Sequence, residues 1–110
     1  MASILLVDDS ASMREMVTFT LTDAGHKVKE TEDGVEALQF AKGESVDLVI
    51  TDVNMPKMDG ITLTRELRAL DNYKFTPILT VVLGMSEKKV RETGIVSFGF
   101  PADVLIRIAF

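Results

Sequence analysis

Three aspartates follow two short apolar stretches of the sequence. Ile4-Leu5-Leu6-Val7 is followed by Asp8 and Asp9. The segment 46–51, whose apolar residues are Val46, Leu48, Val49 and Ile50, is followed by Asp52. Short apolar runs of this kind predict buried strands of a parallel sheet. Open α/β sheets carry their functional groups outside the carboxyl ends of the strands. We therefore expect the three carboxylates to share one acidic pocket.

Carboxylates in one pocket repel each other, by roughly 4 kcal/mol per pair at ~4 Å and an effective dielectric constant near 20. Such a cluster requires a bound cation or a proton on one member. Oxygen ligands without histidine or cysteine favour a hard ion, Mg²⁺ or Mn²⁺, over Zn²⁺. The backbone carbonyl of Asn54 is the best placed further ligand. A cation would also shield an incoming phosphoryl group, which makes an aspartyl phosphate on Asp52 feasible.

Several polar and apolar residues have purely structural interpretations. An aspartate after a strand is often a helix cap, and this is an equal alternative for Asp9 taken alone. Asp59 is predicted to be a turn and cap residue and not a ligand. We expect His26 to be a solvated surface residue, and Met13 and Met16 to belong to the core.

Strands alternate with helices along the chain. Caps, apolar spacing and glycine stops predict strands at Ser3–Val7, Lys27–Thr31, 46–51 and 78–83, and helices from Ser10 or Ser12 to Gly25, at 34–41 and from near Gly60. Ser12 with Glu15 fits a capping box. Val35, Leu38 and Ala41 are predicted to face inward from the second helix. The apolar residues that line the third helix are Ile61, Leu63, Leu67 and Leu70.

This alternation predicts a flavodoxin-like, doubly wound α/β fold. Five βα units fit a parallel sheet in the order 2-1-3-4-5, with helices on both faces and right-handed crossovers. The charged second strand suits the edge of the sheet. Strands one and three are neighbours in this order, which brings Asp8, Asp9 and Asp52 together.

Length and composition exclude several classes of function. The 110 residues, 46% apolar and 26% charged, predict a single domain over 1–110. The net charge of -5 argues against nucleic acid as a partner, because phosphate binding needs clustered Lys and Arg. The chain has no cysteine, so disulfides and zinc-thiolate sites are excluded. No run approaches ~18 apolar residues, and we expect a cytoplasmic protein without a membrane partner.

Three segments carry a family resemblance. They are Ile4-Leu5-Leu6-Val7-Asp8-Asp9-Ser10, Asp52-Val53-Asn54-Met55-Pro56-Lys57-Met58-Asp59-Gly60 and Thr76-Pro77-Ile78-Leu79. From about residue 3 to residue 79 the chain resembles the receiver domain of two-component response regulators, the CheY-like fold. The resemblance implies that a separate histidine kinase phosphorylates Asp52 in a Mg²⁺-dependent phosphorelay. It also implies that Asp8, Asp9, Asp52 and the Asn54 carbonyl bind the ion. The chain most resembles stand-alone receivers of the chemotaxis type.

The rest of the sequence departs from the family pattern. Val82 stands where family members have a Thr or Ser that contacts the phosphoryl group, and Thr80 lies two residues earlier. In the predicted fifth strand, 95–98, Ser97 stands where the family has a Lys, and Gly94 lies near the place of its aromatic switch residue. These departures imply a weakened phosphoryl site and impaired switching. The apolar segment 101–110 predicts self-association or an altered last βα unit.

Two other functions compete with the phosphoacceptor. A degenerate receiver would act as a non-switching binding or self-associating module, which the missing switch residues and the apolar C-terminus favour. A flavodoxin-like FMN or nucleotide binder is disfavoured, because its phosphate would lie over Asp8 and Asp9 and no glycine-rich loop is present. Enzymatic activity stays open, and would be at most self-phosphorylation and self-dephosphorylation.

Overall fold

Strands and helices alternate along the part of the chain that the structure describes. The computed structural model describes residues 1–53 and 55–81. Its elements are β1 (Ser3–Val7), α1 (Ala11–Asp23), β2 (Lys27–Thr31), α2 (Gly34–Gly43), β3 (Leu48–Asp52), α3 (Gly60–Arg68), a 3₁₀ helix (Asp71–Tyr73) and β4 (Ile78–Val81). None of the helices in these two ranges is long and apolar enough to cross a bilayer.

The four strands form one parallel sheet in the order β2-β1-β3-β4. This order confirms the flavodoxin-like prediction for four strands and places the charged β2 at an edge, while the predicted fifth strand at 95–98 lies outside the described residues. In the register between β1 and β3, Val7 is paired with Thr51. The residues that follow these two, Asp8 and Asp52, therefore leave the sheet side by side.

Alternate residues of the strands face two separate cores, as the two-residue period of a strand requires. One core combines strand residues with α2, α3 and the 3₁₀ helix: Leu5, Val7, Val49, Ile78, Ala37, Ala41, Leu63, Leu67 and Tyr73. The other combines Ile4, Leu6, Ile50 and Leu79 with Val17 and Leu21 of α1. Helices thus cover both faces of the sheet, as predicted.

Polar side chains begin each of the three α-helices. The side chains of Ser10, Asp33 and Asp59 accept hydrogen bonds from the backbone N–H groups of the third helical residues of α1, α2 and α3. The Asp59 cap was predicted and is confirmed. The capping box of Ser12 with Glu15 is wrong, because Ser10 caps α1 and Ser12 lies inside its first turn.

Several apolar side chains that lie at helical spacing are more exposed than the spacing predicted. Met16, Val35 and Ile61 are 43%, 45% and 42% exposed, so the prediction that Met16 and Val35 face the core is wrong. In α1 the stripe that reaches the sheet runs through Val17 and Leu21. In α2 and α3 the buried residues are Gly34, Ala37, Ala41, Gly60, Leu63 and Leu67, and Met13, Leu38 and Leu70 are half-buried.

Two further predictions need correction near the amino ends of the strands. β3 begins at Leu48 and not at residue 46. Just before it, the Asp47 N–H donates to the Ser3 carbonyl at 2.8 Å, and the Asp47 carboxylate accepts the Ser3 N–H at 2.8 Å. His26 is half-buried and not fully solvated. Its Nδ1 accepts the N–H of Ala2 at 3.1 Å, which ties the start of the chain to the turn before β2.

Candidate functional site

The acidic pocket lies at the carboxyl ends of β1 and β3. Asp8, Asp9 and Asp52 each offer one carboxylate oxygen, and these three oxygens lie within 4.8 Å of one another. Asp8 is buried, Asp52 is half-buried and Asp9 is exposed, so the cluster runs from the floor of the pocket to its rim. Sequence reasoning predicted this grouping, and the structure brings all three residues together.

Asp8 is held by contacts on three sides. Its N–H donates to the carbonyl of Thr31 in β2 at 3.2 Å, its Oδ1 accepts the N–H of Ser10 at 2.9 Å, and its carbonyl accepts Nη1 of Arg14 at 2.6 Å. Burial raises the pKa of the Asp8 carboxyl, the Ser10 N–H lowers it, the Asp9 charge raises it and Arg14 lowers it, with a net increase. Asp8 is thus a rigidly placed carboxylate whose charge is poorly solvated.

Asp52 ends β3, directly against the first residue of α3. The hydroxyl of Thr51 donates to the Asp52 carbonyl at 3.0 Å, and the N–H of Gly60 donates to the carbonyl of Val53 at 2.9 Å. Gly60 comes so close to the Asp52 carbonyl oxygen that an added Cβ would overlap it. The Asp-Gly pair at 59–60 therefore combines a cap with the only residue type that permits this contact.

The loop between β3 and α3 is joined to α2. Nζ of Lys57 lies 3.4 Å from Oδ2 of Asp33, the cap of α2, and the side chain of Met58 packs against Gly34. Lys57 has φ of 68°, a left-handed conformation that is uncommon for a residue with a side chain. The contacts with α2 hold this turn in place. Asn54, the predicted carbonyl ligand in the same loop, lies outside the described residues.

Thr80 lies in β4, beside β3. It is buried and paired in register with Thr51, while Asp52 is paired with Val81. Thr80 therefore lies one position before the level of Asp52. The predictions about Val82, Gly94, Ser97 and the apolar segment 101–110 fall on residues outside the described part of the chain.

Sequence reasoning missed two groups that position the site. Arg14 contacts the Asp8 backbone, and Lys57 pairs with Asp33. One signal was available for Arg14, since a cation near the N-terminus of a helix opposes the helix dipole. Its presence so early in α1 indicates a partner outside the helix.

The donor set of the pocket suits a hard divalent cation. Oxygens within 4.8 Å would repel by roughly 3 kcal/mol or more per ionised pair at an effective dielectric constant near 20. Mg²⁺ binds through one or two carboxylates and keeps several water ligands. The three converging carboxylates can supply the protein ligands, and the partly open pocket leaves room for the waters. Among the residues described, no histidine or cysteine belongs to this cluster.

Comparison with known proteins identifies the family. A family model described as the response regulator receiver domain matches residues 4–98. The chain belongs to this family. The matched range includes Asp8, Asp9, Asp52 and the loop that leads to α3.

Individual relatives of this receiver domain include chemotaxis proteins. A chemotaxis protein CheY homolog of Campylobacter jejuni is 46% identical over 80 residues, which are 71% of this chain and 62% of the relative. Chemotaxis protein CheY-3 of Vibrio cholerae is 38% identical over 90 residues, 81% of this chain and 69% of the relative. The match with the Campylobacter relative therefore spans less than two thirds of that protein's length.

Solved structures share the fold of this receiver domain. The chemotaxis response regulator CheY4 of Vibrio cholerae is 40% identical with a TM-score of 0.78, and the match covers 97% of this chain and 94% of CheY4. The receiver domain of the sensor histidine kinase PA1611 of Pseudomonas aeruginosa is 27% identical with a TM-score of 0.77, covering 98% and 93%. That structure has a magnesium ion coordinated in its active site cleft.

Proposed function

We propose that this receiver domain accepts a phosphoryl group on Asp52 from a histidine kinase, in a Mg²⁺-dependent phosphorelay of the chemotaxis type. The observation that carries the proposal is the convergence of the Asp8, Asp9 and Asp52 carboxylates within 4.8 Å. Family membership supports the reaction class, and the CheY relatives support the chemotaxis assignment.

Asp8, Asp9 and Asp52, with the main-chain carbonyl of Asn54, are the residues that would hold the ion. The donor set supports Mg²⁺, and Mn²⁺ accepts the same oxygens. When bound, the ion would offset the charge of the carboxylates and of the phosphoryl oxygens that approach them. The magnesium-bound receiver of Pseudomonas aeruginosa PA1611 supports this assignment by similarity.

Asp52 is the best candidate for the nucleophile among the three acids. Asp8 is buried and its Oδ1 already accepts the Ser10 N–H, while Asp9 lies exposed at the rim. Asp52 is half-buried at the end of β3, between neighbouring strands on both sides. A carboxylate oxygen of Asp52 would form the new O–P bond as the N–P bond of the donor phosphohistidine breaks, leaving the imidazole with the bonding electrons.

The donor histidine would lie outside these 110 residues. The only histidine of the chain, His26, is half-buried and its Nδ1 is engaged by the Ala2 N–H. We propose that residues 1–110 act as a single cytoplasmic receiver domain, whose partner is a sensor histidine kinase and not a nucleic acid.

Intact-mass spectrometry after incubation with acetyl phosphate tests the proposal. Wild type should gain the mass of one phosphoryl group only when Mg²⁺ is present, and Asp52→Asn should gain none. Asp23→Asn is the matched control, because Asp23 is exposed at the far end of α1 and should react as wild type does. An unmodified wild type, or equal phosphorylation of Asp52→Asn, would rule the proposal out.

A further inference from the structure

The guanidinium of Arg14 connects three parts of the structure behind the acidic pocket. Nη1 donates to the carbonyl of Asp8 at 2.6 Å, Nε lies 3.6 Å from Glu30 Oε1 at the end of β2, and Nη2 lies 3.9 Å from Glu32 Oε1 before α2. The Arg14 side chain is only 13% exposed. The contacts thus join α1, the loop after β1 and the segment from β2 to α2.

The Asp8 carbonyl belongs to the peptide plane that joins Asp8 to Asp9. Because a peptide unit is planar and rigid, fixing its oxygen fixes the directions in which the two flanking residues leave the plane. Both flanking residues carry a carboxylate of the pocket. Among the described residues, Asp8 makes two further hydrogen bonds, from its N–H to the Thr31 carbonyl and from the Ser10 N–H to its Oδ1, and neither involves its own carbonyl.

Charge alone does not account for the placement of Arg14. Glu30 and Glu32 lie against the same guanidinium. The side chains of Arg14, Glu30 and Glu32 together carry a net charge of -1, so this group does not present a positive charge to the pocket. The position near the N-terminus of α1 is also unfavourable for a cation in the field of the helix dipole. The geometry of the side chain accounts for it better, since the planar fork of arginine donates from three nitrogens in fixed directions, whereas lysine donates from a single nitrogen.

We propose that Arg14 is a positioning residue for the cation site: it anchors the Asp8–Asp9 peptide so that both carboxylates converge with Asp52. Glu30 and Glu32 orient the guanidinium for this contact. The inference rests on the cation site of the proposed function. Groups that orient metal ligands typically change metal affinity by about 10–100-fold when they are removed.

Magnesium binding to the full chain, followed by NMR titration without any phosphodonor, tests this role. Arg14→Met keeps the apolar stem and should raise the Kd for Mg²⁺ about tenfold. Arg14→Lys keeps the charge but not the fork, and should raise the Kd by a smaller factor of at least about threefold. Arg65→Met, which removes an exposed arginine of α3, is the control and should bind as wild type does.

A second readout separates positioning from a general loss of stability. With acetyl phosphate as donor, the Mg²⁺ concentration for half-maximal phosphorylation should rise in the Arg14 variants, while the rate at saturating Mg²⁺ should change much less. An unchanged or lower Kd in a folded Arg14→Lys or Arg14→Met protein would overturn the positioning role. If wild type binds Mg²⁺ but is not phosphorylated, the proposed reaction fails and the Kd comparison still decides the role of Arg14. If wild type does not bind Mg²⁺, both proposals fail.

Discussion

Gly60 packs directly on the backbone of Asp52. A Cβ at position 60 would overlap the Asp52 carbonyl oxygen and lie 3.1 Å from the Cα of Val53, while the Gly60 N–H donates to the Val53 carbonyl at 2.9 Å. The end of β3 and the start of α3 are therefore in backbone contact. The position of the Asp52 carboxylate depends on a residue eight positions later that has no side chain.

Gly60→Ala should disturb both stability and the acidic pocket. The added methyl group meets backbone, which cannot rotate away, so β3 and α3 must separate at a cost of about 1–3 kcal/mol. Because Asp52 lies at this contact, its carboxylate should shift relative to Asp8 and Asp9. We expect a lower midpoint of urea unfolding, and a weaker Mg²⁺ affinity in the protein that remains folded.

Gly43→Ala is the control for this prediction. Gly43 is the last residue of α2, and an added Cβ there would meet nothing within 4 Å. Alanine should be neutral there or stabilise by up to about 1 kcal/mol, because glycine loses more backbone entropy on folding. Equal effects of the two substitutions would show that the contact with Asp52 is unimportant.

Asp33 should stabilise α2 mainly as a cap and only slightly as an ion-pair partner. Asp33→Ala removes the hydrogen bond from the Glu36 N–H, 2.9 Å long, and should lower the free energy of unfolding at pH 7 by about 1–2 kcal/mol. Asp33→Asn keeps an oxygen for the cap and loses the ion pair with Lys57. Since Lys57 is 68% exposed, Asp33→Asn should lower the free energy of unfolding by less than about 0.5 kcal/mol.

The effect of Asp33→Ala should depend on pH. The Glu36 N–H and the Lys57 charge hold the pKa of Asp33 below its ordinary value of 3.8. A carboxyl whose pKa is lowered by folding stabilises the folded state. This stabilisation is complete above pH 3.8 and is lost as the pH falls through the pKa of the folded protein. Urea unfolding from pH 7 to pH 3 should therefore bring wild type and Asp33→Ala closer together. A constant difference over this range would contradict the assignment.

The acidic pocket was predictable because it depends on topology. Once the apolar runs were assigned to neighbouring parallel strands, the residues after Val7 and Thr51 had to meet, and the register pairs those two residues. The cap at Asp59 was predictable for a similar reason, since cap, glycine and helix are adjacent in sequence.

Contacts between distant residues were not predictable in this way. Arg14 reaches Asp8, Glu30 and Glu32 across three segments, and no local pattern specifies those distances. The exposed positions of Met16 and Val35 have a related cause. Helical spacing defines a stripe, but the neighbouring elements decide which part of the stripe is covered.

Tyr73 should stabilise the 3₁₀ helix through its hydroxyl group. The ring is buried, and the hydroxyl donates to the carbonyl of Glu44, just after α2, at 2.6 Å. Tyr73→Phe preserves the packing and removes this bond, which should lower the free energy of unfolding by about 1 kcal/mol.

The same residue should respond to alkaline pH. Burial, and then the Glu44 charge, raise the pKa of Tyr73 above its ordinary value of 10.0. Because folding raises this pKa, the stabilisation that the protonated hydroxyl provides is present below pH 10 and is lost as the pH rises toward the pKa of the folded protein. Tyr73 is the only tyrosine, so tyrosinate absorbance measures its pKa directly. Titration at the value of free tyrosine would contradict the buried hydrogen bond.

Asp8→Asn should have opposite effects on stability without and with Mg²⁺. Burial and the Asp9 charge raise the pKa of Asp8 above 3.8, against the Ser10 N–H and Arg14. The folded state therefore favours the protonated form, and stability falls as the pH rises from 3.8 through the pKa of the folded protein. Asparagine removes this charge and can still accept the Ser10 N–H. At pH 7 without Mg²⁺ we expect the free energy of unfolding of Asp8→Asn to exceed that of wild type by about 1 kcal/mol. This difference should disappear below pH 3.8.

Saturating Mg²⁺ should reverse that order. An ion that binds only the folded state stabilises it by about 2.7 kcal/mol at a concentration one hundred times its Kd. Wild type should gain this stability, whereas Asp8→Asn lacks one of the three proposed carboxylate ligands and should gain much less. Thermal unfolding with and without Mg²⁺ measures the reversal, with Asp23→Asn as a control whose response to Mg²⁺ should equal that of wild type. If Asp8→Asn responded to Mg²⁺ as strongly as wild type, Asp8 would not be a ligand, because the loss of a ligating charge must reduce the stabilisation that the ion provides.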